Sequence, residues 1–189
     1  GLSNYILHDD CGSEQFHIYD QLNDTLDGTK TDYLYSGGST WPLSYSTGTQ
    51  TLFCMDRTNR YYKNVHGRIS FSNLARTDFV YANYRFKDVK NNVWYTNNAR
   101  FSSDTIYFGA PTTGVNENMA VMDIAAHEYT HGVTWYTSQL QYWKEMGAIN
   151  ESFSDIFGES AEYYTLMSCN WLVGTETGSS SRSFITPNT

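Results

Sequence analysis

The sequence predicts an α+β fold, and three observations carry that prediction. Short β-prone runs bounded by turn residues fill most of the first hundred positions. Two long stretches of helical periodicity follow Pro111. Strands first and helices later is the α+β order rather than the alternation of a parallel α/β sheet. The length of 189 residues suits one domain, or one and a half, with a buried core.

Taken in order, Tyr5-Ile6-Leu7-His8, Phe16-His17-Ile18-Tyr19 and Tyr33-Leu34-Tyr35 are strand candidates. Asp9-Asp10-Cys11-Gly12, Asn23-Asp24, Asp27-Gly28 and Gly37-Gly38 bound them as turns. Tyr61 to Ile69 fits a helix, with Tyr61, Tyr62, Val65 and Ile69 on one face. Asp78 to Lys87 and Asp104 to Gly109 read as strands. After Pro111, Asn116 or Asn118 caps a helix carrying Met122, Ala125, Ala126, Tyr129, Val133 and Tyr136 at helical spacing. Ile149, Phe153, Ile156, Phe157, Ala161, Tyr164 and Met167 form the stripe of a second helix. From Gly174 onward the Gly, Ser and Thr content reads as loop.

The net charge of −8 argues against a nucleic-acid partner, which needs a basic face. No run approaches the roughly 18 apolar residues of a membrane span, so no membrane partner is expected. Only 17% of residues are charged, against about 25% in an average domain. With 16 Tyr, that low-charge surface leans towards an extracellular protein. Gly1-Leu2-Ser3-Asn4 carries no signal peptide, as a processed secreted chain would not. Cys11, Cys54 and Cys169 are too few for a disulfide framework. A single pair, Cys11–Cys54, is the expectation, leaving Cys169 free or bonded outside the chain.

The first helix contains His127-Glu128-Tyr129-Thr130-His131. Residues at i and i+4 share a helix face, about 5–6 Å apart at Cβ, so the two imidazoles can close on one zinc ion. Glu128 is turned about 100° away. It can reach a water acidified by the metal and serve as its general base. A chance match on a surface helix is the alternative. A zinc site needs a third protein ligand. Glu151 and Asp155, at i and i+4 on the second helix, offer a ligand and a carboxylate for the far nitrogen of a ligand histidine. Taken singly, both read equally as solvated helix carboxylates.

His127-Glu128-x-x-His131, separated by 19 residues from Glu151 within Gly147-Ala148-Ile149-Asn150-Glu151-x-x-Ser154-Asp155, resembles the thermolysin-like metallopeptidases. Tyr61-Tyr62-Lys63-Asn64-Val65-His66-Gly67-Arg68, Asn97-Asn98-Ala99 and Ser181-Arg182-Ser183 extend the resemblance from about residue 60 to the C-terminus, in one order. It implies zinc ligation by His127, His131 and Glu151, with Glu128 as base and proton shuttle and Asp155 orienting His127. It implies that Asn98 and Ala99 bind the substrate main chain by strand addition, that Tyr142 stabilises the tetrahedral intermediate, and that Arg182 holds a carbonyl. Ile124 would wall the apolar pocket for the residue after the cut. Without the resemblance, Tyr142 and Arg182 read as an ordinary aromatic and a surface charge.

The chain departs from that pattern in three places. Arg100-Phe101 stands where the family has two aromatics, which puts a positive charge near the cleft. Asp123 and Glu162 match two ligands of the family's calcium cluster, but Asn170, Leu172 and Thr175 replace acidic ones. That leaves room for one Ca2+ at most. The family's further catalytic histidine, on its C-terminal helical lobe, has no counterpart in these residues.

The expected architecture is a thermolysin-like β-rich lobe over residues 1–135, ending in the zinc helix, and the start of a helical lobe over 136–189. The expected function is that of a secreted zinc metalloendopeptidase, hydrolysing peptides through a zinc-bound water activated by Glu128 and preferring an apolar residue after the cut. The alternatives are a zinc- or peptide-binding fragment without turnover that needs a separate C-terminal lobe, and a purely structural zinc site.

Overall fold

Period-two alternation builds the central sheet. On β2 (Gln15–Asp20), Phe16 and Ile18 are buried while His17 and Tyr19 face outward. On β5 (Thr77–Tyr84), Val80 and Ala82 are buried and Phe79 is exposed. On β9 (Thr105–Gly109), Ile106 and Phe108 are buried. Each such buried Phe or Ile contributes about 1.5–3 kcal/mol. With β3 (Asp32–Tyr33) and β8 (Ala99–Ser102), these strands form a five-stranded sheet in the order β3-β2-β5-β9-β8. The β2–β5 and β5–β9 pairs are parallel, and both edge pairs are antiparallel. The computed structural model describes residues 5–6, 15–20, 32–33, 35–36, 46–75, 77–84, 86–88, 90–110, 118–178 and 182–186.

Smaller pairings surround the sheet. β1 (Tyr5–Ile6) pairs with β4 (Tyr35–Ser36), β6 (Phe86–Asp88) with β7 (Val93–Tyr95), and β10 (Leu172–Val173) with β11 (Arg182–Ser183), all antiparallel. β11 lies where the composition suggested only loop. β8 and β9 join through Ser103 and Asp104, at φ 50° and 64°. A two-residue hairpin with both φ positive has the twist that matches its strands.

Of three helices, α1 (Ser46–His66) and α2 (Met122–Tyr136) pack against the sheet, and α3 (Lys144–Leu166) packs on α2. α1 begins fifteen residues before the helix expected at Tyr61 and stops at His66, where Gly67 turns at φ 68°. Met55, Tyr62, Ala125 and Tyr129 join the strand residues in one core. Cys54 is a buried free thiol whose Sγ donates to the Ala120 carbonyl at 3.4 Å, and burial pushes its pKa up to about 12. The expected Cys11–Cys54 pair is therefore not supported, and Cys11 lies outside the described residues. Asn116 lies outside them too. Asn118 does not cap α2: Val121 holds the N-cap position, and Asn118 Oδ1 accepts from Ala120 N–H at 3.0 Å.

α3 turns only two members of its stripe inward, Ala161 into the core and Phe157 against it, and leaves the rest outward. Its buried residues are Gly147, Asn150, Ser154, Asp155, Gly158, Glu159, Ala161 and Glu162. Ile149, Phe153, Ile156, Tyr164 and Met167 are exposed. The polar face is turned inward onto α2, and Gly158 permits the close approach. A Cβ there would stand 2.7 Å from the Asp123 carbonyl oxygen.

Candidate metal centre

α2 is buried around its whole circumference from Met122 to Thr130. Its HExxH residues therefore lie between the sheet edge and α3. The i, i+4 spacing brings His127 Nε2 and His131 Nε2 to 2.9 Å. α3 sets Glu151 across from them. Glu151 Oε2 is 3.3 Å from His127 Nε2, and Oε1 is 3.3 Å from His131 Nε2. One ligand atom from each residue falls within 4.8 Å of the others, and this is the metal-capable group found among the described residues.

The far nitrogens decide which atoms are free for a metal. His127 Nδ1 lies 2.7 Å from Asp155 Oδ1. His131 Nδ1 lies 2.9 Å from Asn150 Oδ1 and 3.1 Å from Ser154 Oγ. Donating outward from Nδ1 leaves each Nε2 lone pair aimed at the centre. Two imidazoles and a carboxylate form the donor set of a catalytic zinc site, so the residues present fit that ion. Asn150 and Ser154 were not singled out from the sequence. Their i, i+4 spacing on the Glu151 helix was the available signal.

Charges hold this arrangement together. Burial pushes the His127 imidazolium down, but Asp155 and Glu151 outweigh it and raise its pKa to about 9 with protein groups alone. Burial would raise Glu151, yet His127, His131 and the Tyr142 hydroxyl hold it far below the carboxylate range. Asp155 is likewise lowered against its burial, by His127 and Arg182. Arg182 donates through Nε and Nη2 to Asp155, each at 2.6 Å. Tyr142 donates its hydroxyl to Glu151 Oε1, which with burial pushes the phenol up to about 12. Glu128 stands apart from the three converging side chains, and its Oε2 accepts the Phe101 N–H at 2.6 Å.

These groups open into one cleft of about 960 Å³. Asn98 and Ala99 line it from the sheet edge, and Ile124, Met119 and Val173 supply an apolar wall. His127, Glu128, His131, Tyr142, Glu151 and Arg182 share the same cleft.

Asp123 and Glu162 lie elsewhere, between α2, α3 and the loop after α3. Asp123 accepts the Gly174 and Ile124 N–H groups. Sequence reasoning missed two further carboxylates here. Glu159 is fully buried, with Oε2 accepting from Trp171 N–H at 3.0 Å and Oε1 unpartnered among the described residues. Glu176 stands close enough to Glu162 to raise its pKa. Burial and mutual repulsion raise Asp123, raise Glu159 to about 7 and raise Glu162 to about 8. Asn170 instead donates to Thr175 Oγ1 at 2.9 Å.

Comparison with known proteins gives consistent results. The thermolysin metallopeptidase catalytic domain matches residues 2–135, and the alpha-helical domain of the thermolysin metallopeptidases matches residues 138–188. The thermostable neutral protease NprT of Geobacillus stearothermophilus is 32% identical over 182 residues, which is 90% of this chain and 30% of that protein. Thermolysin of Alicyclobacillus acidocaldarius is 37% identical over 123 residues, 60% of this chain and 20% of its own. An extracellular elastase of Staphylococcus epidermidis is 35% identical over 114 residues, 59% and 22% of the two chains. Among solved structures, the precursor of protealysin, a metalloproteinase from Serratia proteamaculans, shares the fold. Its TM-score is 0.66 at 22% identity, over 84% of this chain and 47% of that one. The chain thus spans less than a third of the length of these curated relatives.

Proposed function

The chain belongs to the thermolysin metallopeptidase family, and from that membership we propose that it builds the catalytic centre of a secreted zinc metalloendopeptidase. One observation carries the reading. Two imidazole nitrogens and a carboxylate converge on a point, while a second carboxylate, Glu128, stands in the same cleft without joining them. A purely structural site has no use for that open side and spare base.

His127, His131 and Glu151 would hold the zinc, with Asp155 fixing the His127 ring through Nδ1. When bound, the ion supplies Lewis-acid polarisation of the scissile carbonyl and acidifies water. Glu128 takes the proton of the attacking water and passes it to the leaving amine. The Phe101 N–H holds its Oε2 and leaves Oε1 for the proton. Tyr142 would swing its O–H from Glu151 to the developing oxyanion, and Arg182 would offer the carbonyl its nitrogen not engaged by Asp155. Asn98 and Ala99 take the peptide main chain along the sheet edge. Ile124, Met119 and Val173 favour an apolar residue after the cut. Secretion is supported by the low charge content and by the extracellular relative. A single calcium would sit beside Asp123 and Glu162, where buried Glu159 and exposed Glu176 add further carboxylate charge.

The exposed face of α3, including Phe153, Ile156 and Met167, favours a second reading. In it the chain binds zinc or peptide but turns over only with a C-terminal lobe packed on that face. Zinc content after dialysis, paired with a peptide cleavage assay on this chain, tests both. One equivalent of zinc with Glu128-dependent cleavage supports the main reading. Zinc without cleavage supports the second. Zinc well below one equivalent, unchanged in His131→Ala, refutes both.

A further inference from the structure

β8 is the free edge of the main sheet, and Arg100 is its odd residue. A row of rings crosses the outer face of the sheet in register. Tyr19 is opposite Tyr81, and Tyr81 is opposite Tyr107. Each successive pair is stacked at 5.1 Å between centroids, with interplanar angles of 17° and 15°. Arg100 is the cross-strand partner of Tyr107, so it ends the row at the cleft. Its guanidinium carbon lies 5.6 Å from the Tyr107 ring and 5.6 Å from that of buried Phe86. Cation–π contact with two packed rings orients the charge without neutralising it.

The other arginine of the cleft differs. Arg182 is committed to Asp155 at 2.6 Å. Arg100 is exposed, lines the cleft and has no carboxylate partner among the described residues. Ala99 and Phe101, its strand neighbours, pack towards the core, so Arg100 addresses the outer face. A peptide adding to β8 as a sixth strand places the side chain opposite Arg100 on that same face, with Cβ atoms about 4.5–5.5 Å apart. A carboxylate there meets a guanidinium already held in place.

We propose that Arg100 is a specificity-determining residue that selects peptides carrying Asp or Glu at the position paired with it on β8. This deepens the peptidase reading and rests on peptide binding by strand addition. The gain should be about three- to tenfold in affinity, the range between an exposed pair and a charge-assisted hydrogen bond.

The test uses the whole chain carrying Glu128→Gln, loaded with zinc so that peptides bind without being cut. Fluorescent peptides with an apolar residue after the cut carry Gln, replaced by Glu one position at a time, and anisotropy gives Kd. One position should favour Glu about three- to tenfold. The preference should vanish with Arg100→Gln, persist in part with Arg100→Lys, and fade in about 0.5 M salt as screening shortens. The Kd of the all-Gln peptide, measured on each form, is the reference against which that form's Glu peptides are compared. Equal binding of Glu and Gln peptides at every position, or a preference surviving Arg100→Gln, overturns the proposal alone. If no peptide binds, the peptide-cleft reading falls and this proposal falls with it.

Discussion

Replacing Glu159 by glutamine should stabilise the chain at pH 8 in calcium-free buffer, although the residue is fully buried on α3. Its Oε1 has no partner among the described residues, and burial together with nearby Asp123 raises its pKa from 4.5 to about 7. A carboxyl raised in the folded state binds more protons folded than unfolded. Stability is therefore lost as pH rises from about 4.5 through 7. The gap is worth about 3 kcal/mol at roughly 1.4 kcal/mol per pH unit. Glutamine keeps the shape and keeps an oxygen for Trp171 N–H. It also turns N–H donors towards Asp123, Glu162 and Glu176. The variant should match the parent near pH 4 and exceed it by up to about 3 kcal/mol at pH 8. For a chain of this size that is a Tm gain of about 6–12 °C. Melting both proteins from pH 4 to 8 with a calcium-selective chelator measures it, and the zinc contribution cancels in the difference. With calcium added, the order should reverse, since the variant has lost a ligand charge. A variant less stable than the parent at pH 8 in chelator, or a difference that ignores pH, would refute the reasoning.

Other perturbations probe the centre itself. Glu128→Gln should keep zinc and lose cleavage by about 10²–10⁴, read by elemental analysis beside a peptide assay. Asp155→Asn weakens the bond to His127 Nδ1 and loosens Arg182, so zinc affinity should drop about 10–100-fold in a chelator competition. Retained affinity would remove Asp155 from the positioning role. Gly158→Ala puts a Cβ 2.7 Å from the Asp123 carbonyl oxygen. Overpacking of that kind costs about 1–3 kcal/mol, and an unchanged melting curve would show that the helices separate freely there.

What the sequence made legible follows from range. His127, Glu128 and His131 lie on one helical turn, and Glu151 and Asp155 on another, so local periodicity alone could align their faces. The β-prone runs over 16–19 and 104–109 likewise marked strands, though not their pairing. α1 was hidden from Ser46 to Arg60 because its inward face carries Thr47, Thr51, Thr58 and Asn59 rather than an apolar stripe. Those hydroxyls survive burial by bonding back one turn: Thr51 Oγ1 donates to Thr47 O at 2.7 Å and Thr58 Oγ1 to Cys54 O at 2.8 Å. Helical wrapping, invisible to a hydrophobic count, satisfies them. The stripe on α3 signalled a helix correctly but not its orientation. Asn150, Ser154, Asp155 and Glu159 are buried because α2 offers them imidazoles, and the loop after α3 offers them backbone N–H groups. Both misreadings have one cause. Polar groups usually avoid a core, and here they form the inner face because partners from distant segments meet them. A polar residue on an inward face thus marks either a satisfied turn, as in α1, or a site, as in α3. What separates the two is the partner: a backbone carbonyl one turn away needs only the helix, whereas an imidazole or carboxylate on another element needs the whole fold.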